Sequence, residues 1–169
     1  RLYLQVPADE DVAQWPDDRI WEELTIRFAL AGSDWAPNEG PIFDKGVTPM
    51  RSFVTEPMQH GRLLLAGDAV HIVPPTGAKG MNLAINDVRL MARALYAWYF
   101  NGGDALLRSY TNDALHRVWR AQHFSWWMTS MLHLPPGADP YQHRLQLAQL
   151  DNVVSSPAYA TALSENYVG

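Results

Sequence analysis

The chain has no cysteine, which excludes a disulfide framework and any thiolate metal site and suits a reducing cytoplasm. It also lacks positive charge. Thirteen Lys and Arg stand against 18 Asp and Glu, a formal net charge of -5, and no basic run interrupts the balance, so a nucleic-acid surface is not expected. No apolar run approaches the roughly 18 residues a bilayer span needs, and no secretory segment is visible. A soluble protein is expected, with no membrane partner. The chain opens on arginine rather than methionine, and its first seven residues, RLYLQVP, alternate as a strand already under way would. It reads as part of something longer.

What is present is enough apolar material for one ordinary core, 47% of 169 residues. An acidic lead-in and Ile20, Trp21, Leu24 and Phe28 at helical spacing predict a helix over 17–30, with Asp17 and Asp18 at its positive end. AGSDWAPNEGPIFDKG, 31–46, reads as a surface loop. Residues 47–56 and 62–66 read as strands, the second a continuous run buried on both faces. From Asn82, the recurrence of Ile85, Val88, Ala92, Leu95 and Tyr99 predicts an amphipathic helix ending near Asn101. A second helix of about thirty residues begins at Asp104, and LPPGADP stops it. Helices follow in YQHRLQLAQLDN and, after Pro157, in AYATALSENY. The fold class expected is α/β, with strands at the front and a mostly helical C-terminal region.

The stretch that carries chemistry is LLLAGDAVHIVPPTGAKGMN, 63–82. Strand, Gly-Asp, loop and helix N-terminus is the layout of a site for a polyhydroxylated or anionic ligand beyond a strand end. Gly67 lets a ligand approach the backbone, and Asp68 can accept hydrogen bonds from sugar-like hydroxyls. Pro75, with no N–H of its own, offers a rigid carbonyl. Gly77 and Gly80 expose backbone N–H groups where the helix starts, and its dipole with Lys79 would stabilise negative charge, such as that of a reduced flavin. The plain alternative is a turn with a capping role. Neither a Walker A loop nor GxGxxG can be laid on the stretch. His71, His116, His123, His133 and His143 lack metal-ligand spacing and read as structural or surface residues; no metal is expected. Trp126 and Trp127 read as packing.

GRLLLAGDAVHIVPPTGAKGMNLAINDV, 61–88, resembles the second flavin-binding motif of the single-component, FAD-dependent aromatic hydroxylases. VTPMRSFVTEPMQHGRL, RAQHFSWWMTSMLH and the terminal ENYVG agree with it. The resemblance implies a monooxygenase that uses FAD, NADPH or NADH and O2 to hydroxylate a small aromatic acid, 4-hydroxybenzoate or a close relative, and a homodimer. It further implies that 1–56 belong to a substrate-domain sheet with a covering helix. By the same resemblance 57–100 form the last part of the FAD-binding domain and 101–169 a helical interface region. The GxGxxG half of the family has no counterpart in these residues, so the isolated chain is expected to be inactive. By resemblance Asp68 and Gly67 meet the ribityl chain, Gly80, Met81 and Asn82 face the pyrimidine end of the flavin, and Lys79 adds positive potential there. Pro75 would contact the phenolic oxygen, Tyr3 would lie near the substrate carboxylate, and Arg1 would sit by flavin and substrate. Tyr167 would end a proton relay, and Arg51 would touch the nicotinamide nucleotide. The alternative is a non-catalytic module that binds an aromatic acid or serves as a dimerisation half.

Overall fold

Two stretches of chain collapse separately, residues 1–50 and 51–169, in a computed structural model that describes residues 2–135 and 137–168. In the first unit, α1 spans Asp17–Phe28, with Asp17 and Asp18 in its first turn and Leu24 buried. A 3-10 turn at Val12–Gln14 precedes it, capped by Asp11, which accepts the Ala13 N–H at 2.9 Å. The predicted loop contains neither helix nor strand. Three hydrogen bonds hold it beside α1: Lys45 Nζ donates to the Trp15 carbonyl (2.9 Å) and Asp17 (2.7 Å), and Trp21 Nε1 donates to the Gly40 carbonyl (3.2 Å).

The strand expected at 1–7 is not formed over the described residues 2–7, where Leu2 and Tyr3 are exposed. Alternation makes a segment fit for a sheet, but a strand exists only where a neighbouring edge takes its N–H and C=O groups.

In the second unit, β1 (Phe53–Val54) pairs antiparallel with β4 (His71–Ile72), and β2 (Gln59–His60) forms a hairpin with β3 (Leu63–Leu64). Both predicted strands shrink to two residues. Pro49 and Pro57 lack ladder donors at the ends of the first. The second is not buried on both faces, since β3 pairs only with its hairpin partner and Leu63 is exposed.

Helix α2 spans Gly80–Asn101 and closes on Gly102, whose φ of 67° lets its N–H reach the Ala97 carbonyl. Helix α3 runs Ala105–Leu132, ahead of the prolines. Asp139 and Gln142 form a capping box that opens α4 (Pro140–Ser155), and Pro157 opens α5 (Pro157–Val168). Met58, Val70, Tyr110 and Ala114 make one core cluster, and Leu83, Val118 and Ala121 make another. The fold is an α/β fragment whose small antiparallel pairs feed a helical C-terminal region.

The face that α2 buries differs from the expected one. Leu83, Asn86, Asp87 and Ala94 point inward, whereas Ile85, Val88 and Tyr99 are exposed. Apolar residues occur nearly all round this helix, so periodicity alone does not choose a face; here two buried polar side chains lie on the chosen one. Trp126 is also exposed rather than packed, its inward neighbours being Phe124 and Ser125.

Candidate functional site

Between β3 and β4 the chain makes a short 3-10 turn, Gly67–Ala69. Gly67 has a φ of 62°, and a Cβ built on it would lie 3.2 Å from the Ala84 Cβ of α2. Glycine is needed here both for the left-handed backbone and for the close approach. Asp68 is exposed, and its carboxylate accepts no hydrogen bond among the described residues. It is an available acceptor, whereas Gly67 itself is buried, its close approach taken up by Ala84 of α2 rather than left open to a ligand.

After β4 the chain crosses Pro74 and Pro75 to α2. The Pro75 carbonyl accepts the Ala78 N–H at 2.8 Å and so closes a turn, and Pro75 is exposed. Gly77 (φ 84°) and Ala78 (φ 51°) are both left-handed. The first bond of α2 runs from the Leu83 N–H to the Lys79 carbonyl at 3.0 Å. The N–H groups of Gly80, Met81 and Asn82 therefore precede the helical ladder, and Met81 and Asn82 are exposed.

Lys79 meets Tyr167 directly. Its ammonium donates to the Tyr167 carbonyl in the last turn of α5 and lies 5.3 Å from the ring centroids of both Phe124 and Tyr167. A cation thus caps the negative end of α5. Burial lowers the pKa of Lys79 below its ordinary value, and the neighbouring Arg117 guanidinium pushes the same way. A cleft of about 50 Å³ holds Lys79 and Asn82 beside Arg117 and Arg120. A larger concavity, about 550 Å³, runs past Glu56, His116, Trp119 and His123 and contains none of the expected site residues.

The remaining expected positions are scattered. Arg51 is exposed, two residues ahead of β1; Tyr3 belongs to the first unit and is exposed; Arg1 lies outside the described residues.

What sequence reading missed is the set of side chains that hold the loop. Three residues of α3 donate to carbonyls along it: Tyr110 Oη to Leu65 (2.7 Å), Gln122 Nε2 to Ile72 (2.9 Å) and Ser125 Oγ to Thr76 (2.9 Å). From α2, Asp87 Oδ2 accepts from the Gly67 N–H at 2.9 Å and lies 2.6 Å from His71 Nε2. The available signal was polar residues at inward positions of apolar helices, since such groups are kept inside only when bonded.

Burial, with the Asp87 charge adding to it, pushes the Tyr110 hydroxyl up to about 12. The unfolded chain ionises near the ordinary value of about 10, so the folded state holds the proton more tightly. This contribution is complete below pH about 10 and is lost as pH rises through about 12. Tyr110→Phe should therefore flatten the alkaline decline of stability between those values while weakening the fold at neutral pH by about 1 kcal/mol for the lost hydrogen bond. Urea denaturation from pH 8 upward tests this; parallel declines in the two proteins reject it.

The residues present fit a flavin: a bare carboxylate for ribityl hydroxyls, and helix N–H groups with a cation for negative charge. Comparison with known proteins agrees. A family model described as an FAD binding domain matches residues 1–125. The p-hydroxybenzoate hydroxylase of Acinetobacter baylyi is 46% identical over all 169 residues, which cover 42% of that protein. The tetracenomycin A2 monooxygenase-dioxygenase of Streptomyces glaucescens is 46% identical over 64% of the chain and 19% of its own length. A probable NADH-specific resorcinol 4-hydroxylase of Rhodococcus jostii is 43% identical over 63% and 19%. The chain spans about two fifths of the first of these relatives, and less of the others. On the match over residues 1–125, the chain belongs to the FAD binding domain family.

Proposed function

We propose that the complete protein carrying this chain is an FAD-dependent monooxygenase that hydroxylates 4-hydroxybenzoate. The balanced reaction is 4-hydroxybenzoate, NAD(P)H, a proton and O2 to 3,4-dihydroxybenzoate, NAD(P)⁺ and water. FAD, when bound, supplies the redox chemistry between the nicotinamide, O2 and the ring.

In this reading Asp68 accepts from the ribityl hydroxyls, and Gly67 permits the left-handed turn that presents it. The N–H groups of Gly80, Met81 and Asn82, with Lys79, stabilise negative charge at the pyrimidine end. The second lone pair of the Pro75 carbonyl orients the phenol hydroxyl, and Tyr167 takes part in removing its proton. Tyr3 and Arg1 serve the substrate side, and Arg51 the nicotinamide nucleotide. Residues 1–56 act as part of a substrate domain, 57–100 as the end of the FAD domain and 101–169 as a helical interface region of a cytoplasmic homodimer. The observation that carries the reading is the bare Asp68 carboxylate, set after a left-handed glycine and beside the start of α2.

Asp68→Ala in the complete protein separates function from fold. A hydrogen bond to a charged group is worth about 1.5–3 kcal/mol, so FAD affinity should drop roughly 10- to 150-fold. Stability without FAD should stay within about 0.5 kcal/mol, as for exposed sites without partners. Fluorescence titration of the apoprotein with FAD reads the first, and urea denaturation the second. Wild-type affinity in the variant removes Asp68 from the site. A complete wild-type protein that is colourless, and stays so when FAD is added, defeats the proposed function.

A further inference from the structure

Two polar side chains in the second unit are more deeply buried than the proposed function requires. Asp87 is 0% and His71 1% exposed. A buried carboxylate is costly unless it is paired and hydrogen-bonded, so its partners indicate its use. Both bonds fall on one atom: Asp87 Oδ2 accepts the Gly67 N–H at 2.9 Å and contacts His71 Nε2 at 2.6 Å. Asp87 Oδ1 and His71 Nδ1 are buried with no partner among the described residues.

The geometry points to a positioning pair. We propose that Asp87 and His71 set the Gly67–Asp68 turn so that the Asp68 carboxylate meets the ribityl chain of the flavin. This rests on the proposed function for its ligand, while the pairing itself does not. Residues 67 and 71 bound the turn, and a single oxygen of α2 binds both. Ala84, one helical turn before Asp87, backs the turn through the approach to Gly67. At the far end β4 pairs with β1, with His71 opposite Val54, and the Thr55 N–H donates to the Val70 carbonyl at 2.8 Å. The backbone around Asp68 is thus held on both sides while its own side chain bonds nothing among the described residues. Asp87 and His71 touch no ligand in this scheme and act through the turn.

Donation from His71 Nε2 is the property to test, because glutamine keeps an N–H donor at a similar reach and leucine does not. The complete protein is prepared as Asp87→Leu, His71→Leu and His71→Gln. Two readouts are taken: FAD affinity of each apoprotein, and amide hydrogen exchange without FAD, comparing 67–71 with the α3 segment 110–125. Asp87→Leu and His71→Leu should lower FAD affinity about tenfold or more, the equivalent of one lost buried hydrogen bond. In both, amides 67–71 should exchange about tenfold faster or more while 110–125 keep their protection. His71→Gln should retain affinity within about threefold, and it remains a test if the other variants do not fold. Uniform acceleration over both segments marks a merely structural pair and overturns the proposal. So does unchanged FAD affinity beside faster exchange at 67–71, or a His71→Gln variant as impaired as His71→Leu. If the wild-type protein takes up no FAD, the proposed function falls, and the exchange pattern alone then decides whether the pair holds the turn.

Discussion

Replacing Gly77 with alanine is expected to destabilise the chain by about 2–4 kcal/mol, a large share of what holds an ordinary domain together. Two costs add. At a φ of 84° an L side chain is strained, at about 1–2 kcal/mol, and the new Cβ would lie 2.5 Å from Phe124 Cε1. A ring that is fully buried cannot step aside freely, and overpacking of this kind costs about 1–3 kcal/mol. Against them, alanine restricts the unfolded chain and returns about 0.4–1 kcal/mol. The shift is read as a change in urea midpoint at constant slope. A loss below about 1 kcal/mol would show that Phe124 and the loop are not in the contact described.

The second large effect comes from the other side of the same contact. Phe124→Ala removes a ring that is 0% exposed, for which the usual cost is about 3–5 kcal/mol. The ring lies under Gly77 and packs edge-on against Tyr167, with centroids 5.9 Å apart; the Lys79 ammonium is also over it. Its loss therefore loosens the loop and the α5 contact together. The double variant Gly77→Ala with Phe124→Ala should be less damaged than the sum of the singles, because the overlap disappears while the backbone strain stays. A coupling of about 1–3 kcal/mol is expected, and strict additivity would deny the contact.

Much of this arrangement is legible in the residues, for reasons that differ by element. Proline and glycine end helices through local sterics, so the limits of α2, α3, α4 and α5 fall close to where Asn101-Gly-Gly, LPPGADP and Pro157 place them. The Gly67–Asp68 turn and the start of α2 are equally local, and the first appears with the positive φ that its glycine permits.

Partnership is not local. The strand expected at 1–7 had the right alternation and no edge to join among the described residues. The inward face of α2 is the one bearing Asp87, whose reasons lie at Gly67 and His71, 20 and 16 residues earlier. Tyr110 could be placed in the core from its spacing, but nothing in that spacing says that its hydroxyl seeks the Leu65 carbonyl 45 residues away. Lys79 fitted a role in positive potential. Its engagement with the end of α5 spans 88 residues.

The three donors of α3 all reach main-chain oxygens, those of Leu65, Ile72 and Thr76. A carbonyl is the same acceptor whatever side chain accompanies it. The helix therefore enforces the path of the loop without reading its composition, and exposed loop positions such as Asp68 and Ala69 can be exchanged with the scaffold left intact. Retuning of ligand preference through this loop, by evolution or by design, would then leave Tyr110, Gln122 and Ser125 untouched.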